Sequence, residues 1–198
     1  MTAMNAAINS VILHPELASY AEQIARIRED ASELTRTLSD AQMNWRTHPG
    51  RWSIAQCLQH IALGNEEYLR AIDASLAEAR ARQLLSAGPY KHGWFGNWFA
   101  RSFEPPPKFK MKNPRVITPP PDLRSEEVIA RFHASFAELL RRIHEANGLD
   151  LGRAKIISPF FRLLRLSLGQ AFAVLTAHAR RHLWQAWQVR KEPAFPKL

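Results

Sequence analysis

The chain has 198 residues, and 46% of them are hydrophobic, which is enough to fill the core of one domain and excludes global disorder. The 27 Lys and Arg residues against 18 Asp and Glu residues give a formal charge of +9, which favours anionic partners. A single cysteine, Cys57, excludes an internal disulfide and a cysteine-rich zinc module.

The sequence also bears on location and partners. It contains no run of about 18 uncharged apolar residues, so we expect no membrane span and no membrane partner. The segment 1–20 lacks the basic start and long apolar stretch of a secretory signal, so we expect a cytoplasmic protein. The positive charge is spread along the chain without a nucleic-acid motif. An ordinary basic surface is therefore favoured, and nucleic-acid binding stays the alternative.

Apolar residues recur at spacings of three and four in four segments, which predicts four amphipathic helices. The first runs over about 15–38 and the second over about 53–85. The third starts at residue 125 and stops near Asn147, and the fourth covers about 167–190. The second and fourth open with an S-x-x-Q capping box. The pattern predicts an all-α fold, a four-helix bundle, with residues 1–198 forming a single domain.

Residues 86–122, between the second and third helices, differ in kind because they are rich in proline and aromatic residues. Proline excludes helix across most of this insert. The aromatic stretch 93–103, GWFGNWFARSF, predicts a short helical or coiled plug packed on the domain. The rest predicts an extended, polyproline-like crossover that is long enough to make the second and third helices parallel. We expect the insert to reshape or cover the mouth of a pocket.

Two histidines lie on the core-facing line of the fourth helix, where the periodicity calls for apolar residues. His178 and His182 in the sequence HARRH are one helical turn apart, so both rings can reach one ion. A lone core histidine is more often a hydrogen-bonded residue than a ligand. Burying two imidazole rings without partners would cost several kcal/mol, however, and this favours a metal site. Ala179 follows His178, so the sequence is not the HExxH motif of metalloproteases.

A third ligand must come from another helix, and His60 on the second helix is the best candidate. It lies at the flank of the apolar face, where a metal ligand and an ordinary boundary residue are both consistent with the pattern. Gly64, one turn later, leaves room for a ligand or for a closely packed helix. Cys57 has no evident base beside it, so we expect a small buried side chain rather than a nucleophile.

Two segments carry a resemblance to a known family: WSIAQCLQHIA at 52–62 and LTAHARRHLWQAWQV at 175–189. Together with the four-helix layout, they resemble the DinB/YfiT-like family of four-helix metal-binding proteins. The resemblance implies that one histidine of the second helix joins an H-x-x-x-H pair of the last helix around a divalent metal. Carried over, the ligands are His60, His178 and His182, and the metal is zinc, nickel or iron. The resemblance also implies a homodimer.

The resemblance leaves the reaction open. It implies a metal-dependent enzyme that activates a low-molecular-weight thiol or water to act on a small-molecule substrate, and we favour a thiol-dependent transferase over a hydrolase. Arg181 and Gln185 are candidate substrate-binding residues. The alternative is a non-catalytic module with a structural or vestigial metal site and a basic surface that binds nucleic acid or a protein partner.

Overall fold

The computed structural model describes residues 12–107 and 113–197. The described part of the chain is mainly helical, as the periodicity predicts. Its elements in chain order are α1 (Pro15–Thr35), α2 (Asp40–Asn44), α3 (Ile54–Ala81), α4 (Trp94–Arg101), a 3-10 helix (Arg115–Ile117), α5 (Ser125–Glu145), β1 (Lys155–Ile157), β2 (Arg165–Ser167) and α6 (Leu168–Arg190). The four long helices α1, α3, α5 and α6 are the four that the sequence predicts.

Helix α3 ends earlier than predicted, at Ala81 rather than near residue 85. Gln83 adopts a left-handed backbone conformation with φ of 50°. The Leu84 amide donates to the Ala79 carbonyl at 2.9 Å, and the Gln83 amide donates to the Arg80 carbonyl at 3.0 Å. This is a Schellman ending, which sequence periodicity misses because Leu84 still packs into the core after the helix has stopped.

Helices α3 and α5 are parallel, as the length of the crossover allows. Arg131 of α5 pairs with Glu66 of α3 at 2.6 Å, and Arg142 pairs with Asp73 at 2.9 Å. Residue numbers therefore rise together along both helices. The insert between them makes this arrangement possible because it returns the chain to the end of the bundle where α3 began.

Helix α6 lies between α1 and α3 and runs parallel to α1. The Trp187 indole donates to Asp30 Oδ1 at 2.8 Å, and Arg180 donates to Gln23 Oε1 at 2.8 Å. Against α3 the order is reversed, since His60 contacts His182 and Gly64, one turn later on α3, contacts His178, one turn earlier on α6. The N-terminal part of α3 therefore faces the middle of α6.

The insert packs on the bundle through α4, in agreement with the predicted plug. A Cβ atom on Gly96 would lie 2.3 Å from the end of the Gln170 side chain, so a larger residue would displace that side chain from its present hydrogen bonds. Gln170 Nε2 donates to the Gly93 carbonyl at 2.6 Å and to Asn97 Oδ1 at 3.1 Å. Further along, Glu104 accepts hydrogen bonds from Arg180 of α6 at 3.0 and 2.5 Å. The insert is thus attached to α6 at two points.

A short antiparallel hairpin precedes α6, and the sequence did not predict it. Strands β1 and β2 pair with Lys155 opposite Ser167 and Ile156 opposite Leu166. Of these, Ile156 and Leu166 are buried. Three-residue strands show no usable alternation, which is why the periodicity pointed only to a connector. Among the described helices, none combines the length and the apolar character needed to cross a membrane.

The N-terminal cap of α3 gives a test of the fold. Ser53 Oγ accepts from the Gln56 amide at 3.1 Å, and the Ser53 amide donates to Gln56 Oε1 at 3.1 Å. We expect Ser53→Ala to lower the free energy of unfolding by about 1 kcal/mol in urea denaturation, because a buried helix start loses its cap. The control is Ser19→Ala at an exposed position within α1, which should change stability little. Equal losses in both variants would contradict the assigned cap.

Candidate metal centre

Three histidine rings from two helices meet where α3 packs against α6. His60 of α3 lies beside His178 and His182 of α6, and one ligand atom from each residue falls within 4.8 Å of the others. The Nε2 atoms of His60 and His178 are 3.0 Å apart. No other group of three or more His, Cys, Asp or Glu side chains with such spacing exists in residues 12–107 and 113–197. The structure thus brings together the three residues named from the sequence.

Local sequence explains why the rings converge. The spacing of four residues stacks His178 and His182 on one face of α6, with ring centroids 4.6 Å apart. On α3, a Cβ atom at Gly64 would lie 3.4 Å from His178 Cε1. A Cβ atom there would only touch the ring of His178 at ordinary van der Waals distance, so alanine would fit, whereas a longer side chain would extend toward the ring. The ring of His178 therefore packs directly on α3 at Gly64.

Hydrogen bonds on the far side of two rings fix the position of their protons. His60 Nδ1 lies 2.7 Å from the carbonyl oxygen of Ile117, and His182 Nδ1 lies 3.1 Å from Gln185 Oε1. Both oxygens only accept, so both Nδ1 atoms carry the hydrogen and donate it. The Nε2 lone pairs of His60 and His182 then face the centre of the cluster. Such outer hydrogen bonds orient histidines that bind metals.

The contact between His60 and His178 follows from this arrangement. Because Nε2 of His60 has no hydrogen, the neutral ring of His178 donates to it from Nε2 across the 3.0 Å contact. A metal bound by both Nε2 atoms would replace this hydrogen, as metal binding by histidine generally displaces protons.

Burial keeps the three rings neutral. Desolvation lowers the pKa of His60 to about 4, against a weaker opposing effect of its hydrogen bond to Ile117. Desolvation also holds the pKa values of His178 and His182 well below the ordinary range, and the neighbouring rings and Arg181 add to this. At pH 7 the cluster consists of three uncharged imidazoles. These are the form that donates a lone pair to a metal.

Two aromatic side chains enclose the rings. Trp52, the residue before the cap of α3, lies with its ring centroid 4.7 Å from His60 and 5.6 Å from His182. Phe103 of the insert meets His178 at 5.9 Å. No local sequence pattern assigned Trp52 or Phe103 to the site. Both become part of it through tertiary packing alone.

The cluster opens into a cavity of about 910 Å³. Arg181 and Gln185, the candidate substrate-binding residues, both line this cavity. The insert contributes much of its wall: Phe99, Phe103, Pro107, Asn113, Pro114 and Ile117. The insert therefore shapes the cavity beside the histidines, and through Ile117 it also positions His60.

Comparison with known protein families addresses the origin of this arrangement. The sequence pattern of the DinB superfamily matches residues 23–186, which contain all three histidines and most of the chain. The chain belongs to the DinB superfamily. No curated protein and no solved structure matched it. In this DinB protein, a cluster that could hold a metal ion thus coincides with the histidines to which the resemblance pointed.

The remaining histidines of the DinB chain lie outside the cluster. His144 is exposed, and His133 contacts Arg28 and Ser32 on the bundle surface. His92, to which the sequence assigned no chemistry, bridges Ser167 Oγ at 2.8 Å and Glu16 Oε1 at 2.9 Å. Ser167 is only 1% exposed and caps α6, so this chain of three polar groups attaches the insert to the bundle.

Gln185 offers a test of how the DinB cluster is oriented. We expect Gln185→Ala to weaken zinc binding by about tenfold to a hundredfold, because the His182 ring loses the acceptor at Nδ1. Affinity is measured by competition with a chromogenic chelator. The control is Gln188→Ala, at an exposed position on the same helix. Unchanged zinc affinity in Gln185→Ala would show that the hydrogen bond does not orient a ligand.

Proposed function

We propose that His60, His178 and His182 hold one divalent metal ion and that the protein is a metal-dependent enzyme acting on a small molecule in the adjoining cavity. The observation that carries the proposal is the convergence of three neutral imidazoles at the wall of a large cavity. Membership of the DinB superfamily, which is generally metal-binding, supports it.

The donor set fits such an ion. Neutral imidazole nitrogens suit zinc, nickel and iron(II), and the hydrogen bonds to Ile117 and Gln185 supply the outer contacts that these ligands need. Three protein ligands beside an open space are typical of catalytic zinc sites, whereas structural sites have four protein ligands. The cavity provides that space, which favours a catalytic role over a structural one.

When bound, a divalent metal lowers the pKa of a thiol or water that binds to it and so makes a nucleophile available at neutral pH. The chain's residues provide the surroundings for this chemistry. Trp52 and Phe103 restrict access of bulk water to the rings. Arg181, at the cavity wall, attracts an anionic reactant. Gln185 keeps the His182 lone pair directed into the cluster.

We favour thiol transfer over hydrolysis. The aromatic walls limit the water that a hydrolase must admit, and they protect an electrophilic substrate from competing hydrolysis. The thiol must come from outside the chain, because the single cysteine, Cys57, is completely buried in the core and burial raises its pKa. A low-molecular-weight thiol is therefore the proposed co-substrate.

The alternative, a non-catalytic module with a basic surface, receives less support. Arg131, Arg142 and Arg180 are engaged by carboxylates of neighbouring elements. Pairing of this kind leaves fewer of the 27 Lys and Arg residues available for direct contacts with phosphate groups. The single domain, the homodimer and the cytoplasmic location stay predictions.

Substitution of the ligands tests the metal site. We expect His178→Ala and His182→Ala to abolish stoichiometric binding of zinc, because each variant breaks the pair of ligands that one helix holds on the same face. His60→Ala should lower zinc affinity while the helical circular dichroism signal is retained. The measurement is elemental analysis of the purified protein combined with calorimetric titration. His144→Ala, at an exposed position, is the control. Full zinc occupancy in both α6 variants would refute the proposed site.

Measurement of product formation with and without the metal tests the proposed reaction. We expect transfer of a low-molecular-weight thiol to an electrophilic substrate that stops when a chelator removes the metal and returns when zinc, nickel or iron(II) is restored. Product formation is followed by mass spectrometry, with ester hydrolysis measured in parallel. Metal-dependent ester hydrolysis without thiol transfer would favour the hydrolase. Absence of any metal-dependent turnover across thiol and ester panels would favour the non-catalytic module.

A further inference from the structure

Tyr68 of α3 lies in the wall of the cavity beside the histidines. His60, Gly64 and Tyr68 follow one another at spacings of four residues, so the three lie on one face of the helix. Two helical turns place the Cα atoms of His60 and Tyr68 about 12 Å apart along the helix axis. Tyr68 is only 4% exposed and lines the cavity. A buried polar side chain therefore belongs to the same cavity as the candidate ligands.

The hairpin before α6 positions a second hydroxyl group against Tyr68. The hydroxyl oxygen of Tyr68 is 3.3 Å from Ser158 Oγ, and both residues are buried. Ser158 directly follows β1, and its amide donates to the Leu164 carbonyl at 2.9 Å, which closes the hairpin. Among the described residues, Ser158 is the only hydrogen-bond partner of the Tyr68 side chain.

The other hydrogen bonds of Ser158 decide which of the two hydroxyl groups donates. The amides of Phe160 and Phe161 both donate to Ser158 Oγ, each at 3.3 Å. A serine hydroxyl has two lone pairs and one hydrogen, so these two amides occupy both lone pairs. Ser158 then donates its hydrogen to Tyr68, and the Tyr68 oxygen accepts. The hydrogen of the Tyr68 hydroxyl is left to donate to another group.

This hydrogen has no acceptor among the residues that the structure describes. Burial raises the pKa of Tyr68, and the hydrogen bond with Ser158 opposes this only in part, so the hydroxyl keeps its hydrogen at pH 7. A buried donor without an acceptor costs free energy, which is why buried tyrosines usually have a partner. Because Tyr68 lines the cavity, a ligand bound there can supply the acceptor.

We propose that Tyr68 determines substrate specificity by donating a hydrogen bond to a neutral carbonyl oxygen of the substrate. The carbonyl lies at the Tyr68 end of the cavity, and the rest of the molecule extends toward the histidines. The inference deepens the proposed function and rests on it, because it names a chemical group of the substrate at the same site.

The surroundings of Tyr68 favour a neutral carbonyl over a carboxylate or a hydrogen-bond donor. The ring centroids of Tyr68 and Phe160 are 5.7 Å apart, and both rings line the cavity. A carboxylate beside these rings would exchange its hydration for one hydrogen bond, which is costly in apolar surroundings. A group that only donates would meet the hydrogen of Tyr68 instead of a lone pair. A ketone or ester oxygen accepts the hydrogen bond and loses less hydration.

Three probes of similar size differ only in the group beside a phenyl ring. Acetophenone carries a carbonyl, N-methylaniline carries an N–H group and ethylbenzene carries a methylene group. Each is titrated into the full-length protein and into Tyr68→Phe, with affinity measured by ligand-observed NMR. We expect the substitution to weaken acetophenone binding about tenfold, because only the carbonyl loses its donor. Binding of ethylbenzene and N-methylaniline should stay unchanged, which also shows that the cavity of the variant is intact.

Several results would overturn the inference. These are an absence of saturable acetophenone binding in the parent protein, an unchanged acetophenone affinity in Tyr68→Phe, and an equal loss for all three probes. A loss confined to N-methylaniline would show that Tyr68 accepts rather than donates, and it would overturn the inference as well.

The stretching frequency of the bound carbonyl reports the hydrogen bond itself. With an isotopically labelled carbonyl carbon, we expect infrared difference spectra to show a lower frequency for acetophenone in the parent protein than in Tyr68→Phe, because a donated hydrogen bond weakens the C=O bond. The control is Tyr20→Phe, which removes the same atom from a tyrosine whose hydroxyl donates to Glu16 on α1 at 3.3 Å. This control should leave the frequency unchanged. The same frequency in the parent and in Tyr68→Phe would refute the hydrogen bond.

Measurement in metal-free and zinc-loaded protein separates this inference from the proposed function. A shift that depends on Tyr68 in a protein that takes up no zinc would uphold the hydrogen bond and refute the metal enzyme. Stoichiometric zinc binding without such a shift would uphold the metal site and refute the role of Tyr68.

Discussion

The structure depends on the burial of three uncharged imidazole rings between α3 and α6. Polar rings are costly to bury unless each nitrogen has a partner. Here the Ile117 carbonyl accepts a hydrogen bond from Nδ1 of His60, and the Gln185 amide oxygen accepts one from Nδ1 of His182. The Nε2 atoms of His60 and His178 contact each other. This arrangement requires α3 and α6 to pack directly against each other, and the ring of His178 lies against Gly64 of α3. It also requires the insert, because Ile117 belongs to it.

The insert therefore connects fold and site. It carries the chain back along the bundle so that α3 and α5 can run in parallel, and it is held to α6 by Glu104 and Arg180. On its inner side it supplies the acceptor for His60 and the phenylalanine that covers His178. The insert thus connects the parallel helices α3 and α5, orients the ligand candidate His60 and forms part of the apolar wall of the cavity.

Much of this could be predicted from the sequence, because the decisive patterns are local. Helical periodicity identified the four long helices, and the spacing of His178 and His182 on a core-facing line identified two members of the cluster. His60 needed the resemblance, since its position on the flank of α3 was consistent with two roles. The acceptor at Ile117, the wall residue Phe103 and the hairpin before α6 could not be predicted. Each arises from contacts between segments distant in sequence, and none of these residues shows periodicity of its own.

The central claim is that one metal ion binds to His60, His178 and His182, and X-ray absorption at the zinc edge of the zinc-loaded protein tests it most directly. We expect three histidine nitrogens at about 2.0–2.1 Å, with the remaining coordination filled by light atoms from outside the chain. The histidine signal should fall in His60→Ala and disappear with the zinc in His182→Ala. Sulfur coordination by Cys57, or a spectrum that is the same in all three proteins, would contradict the claim.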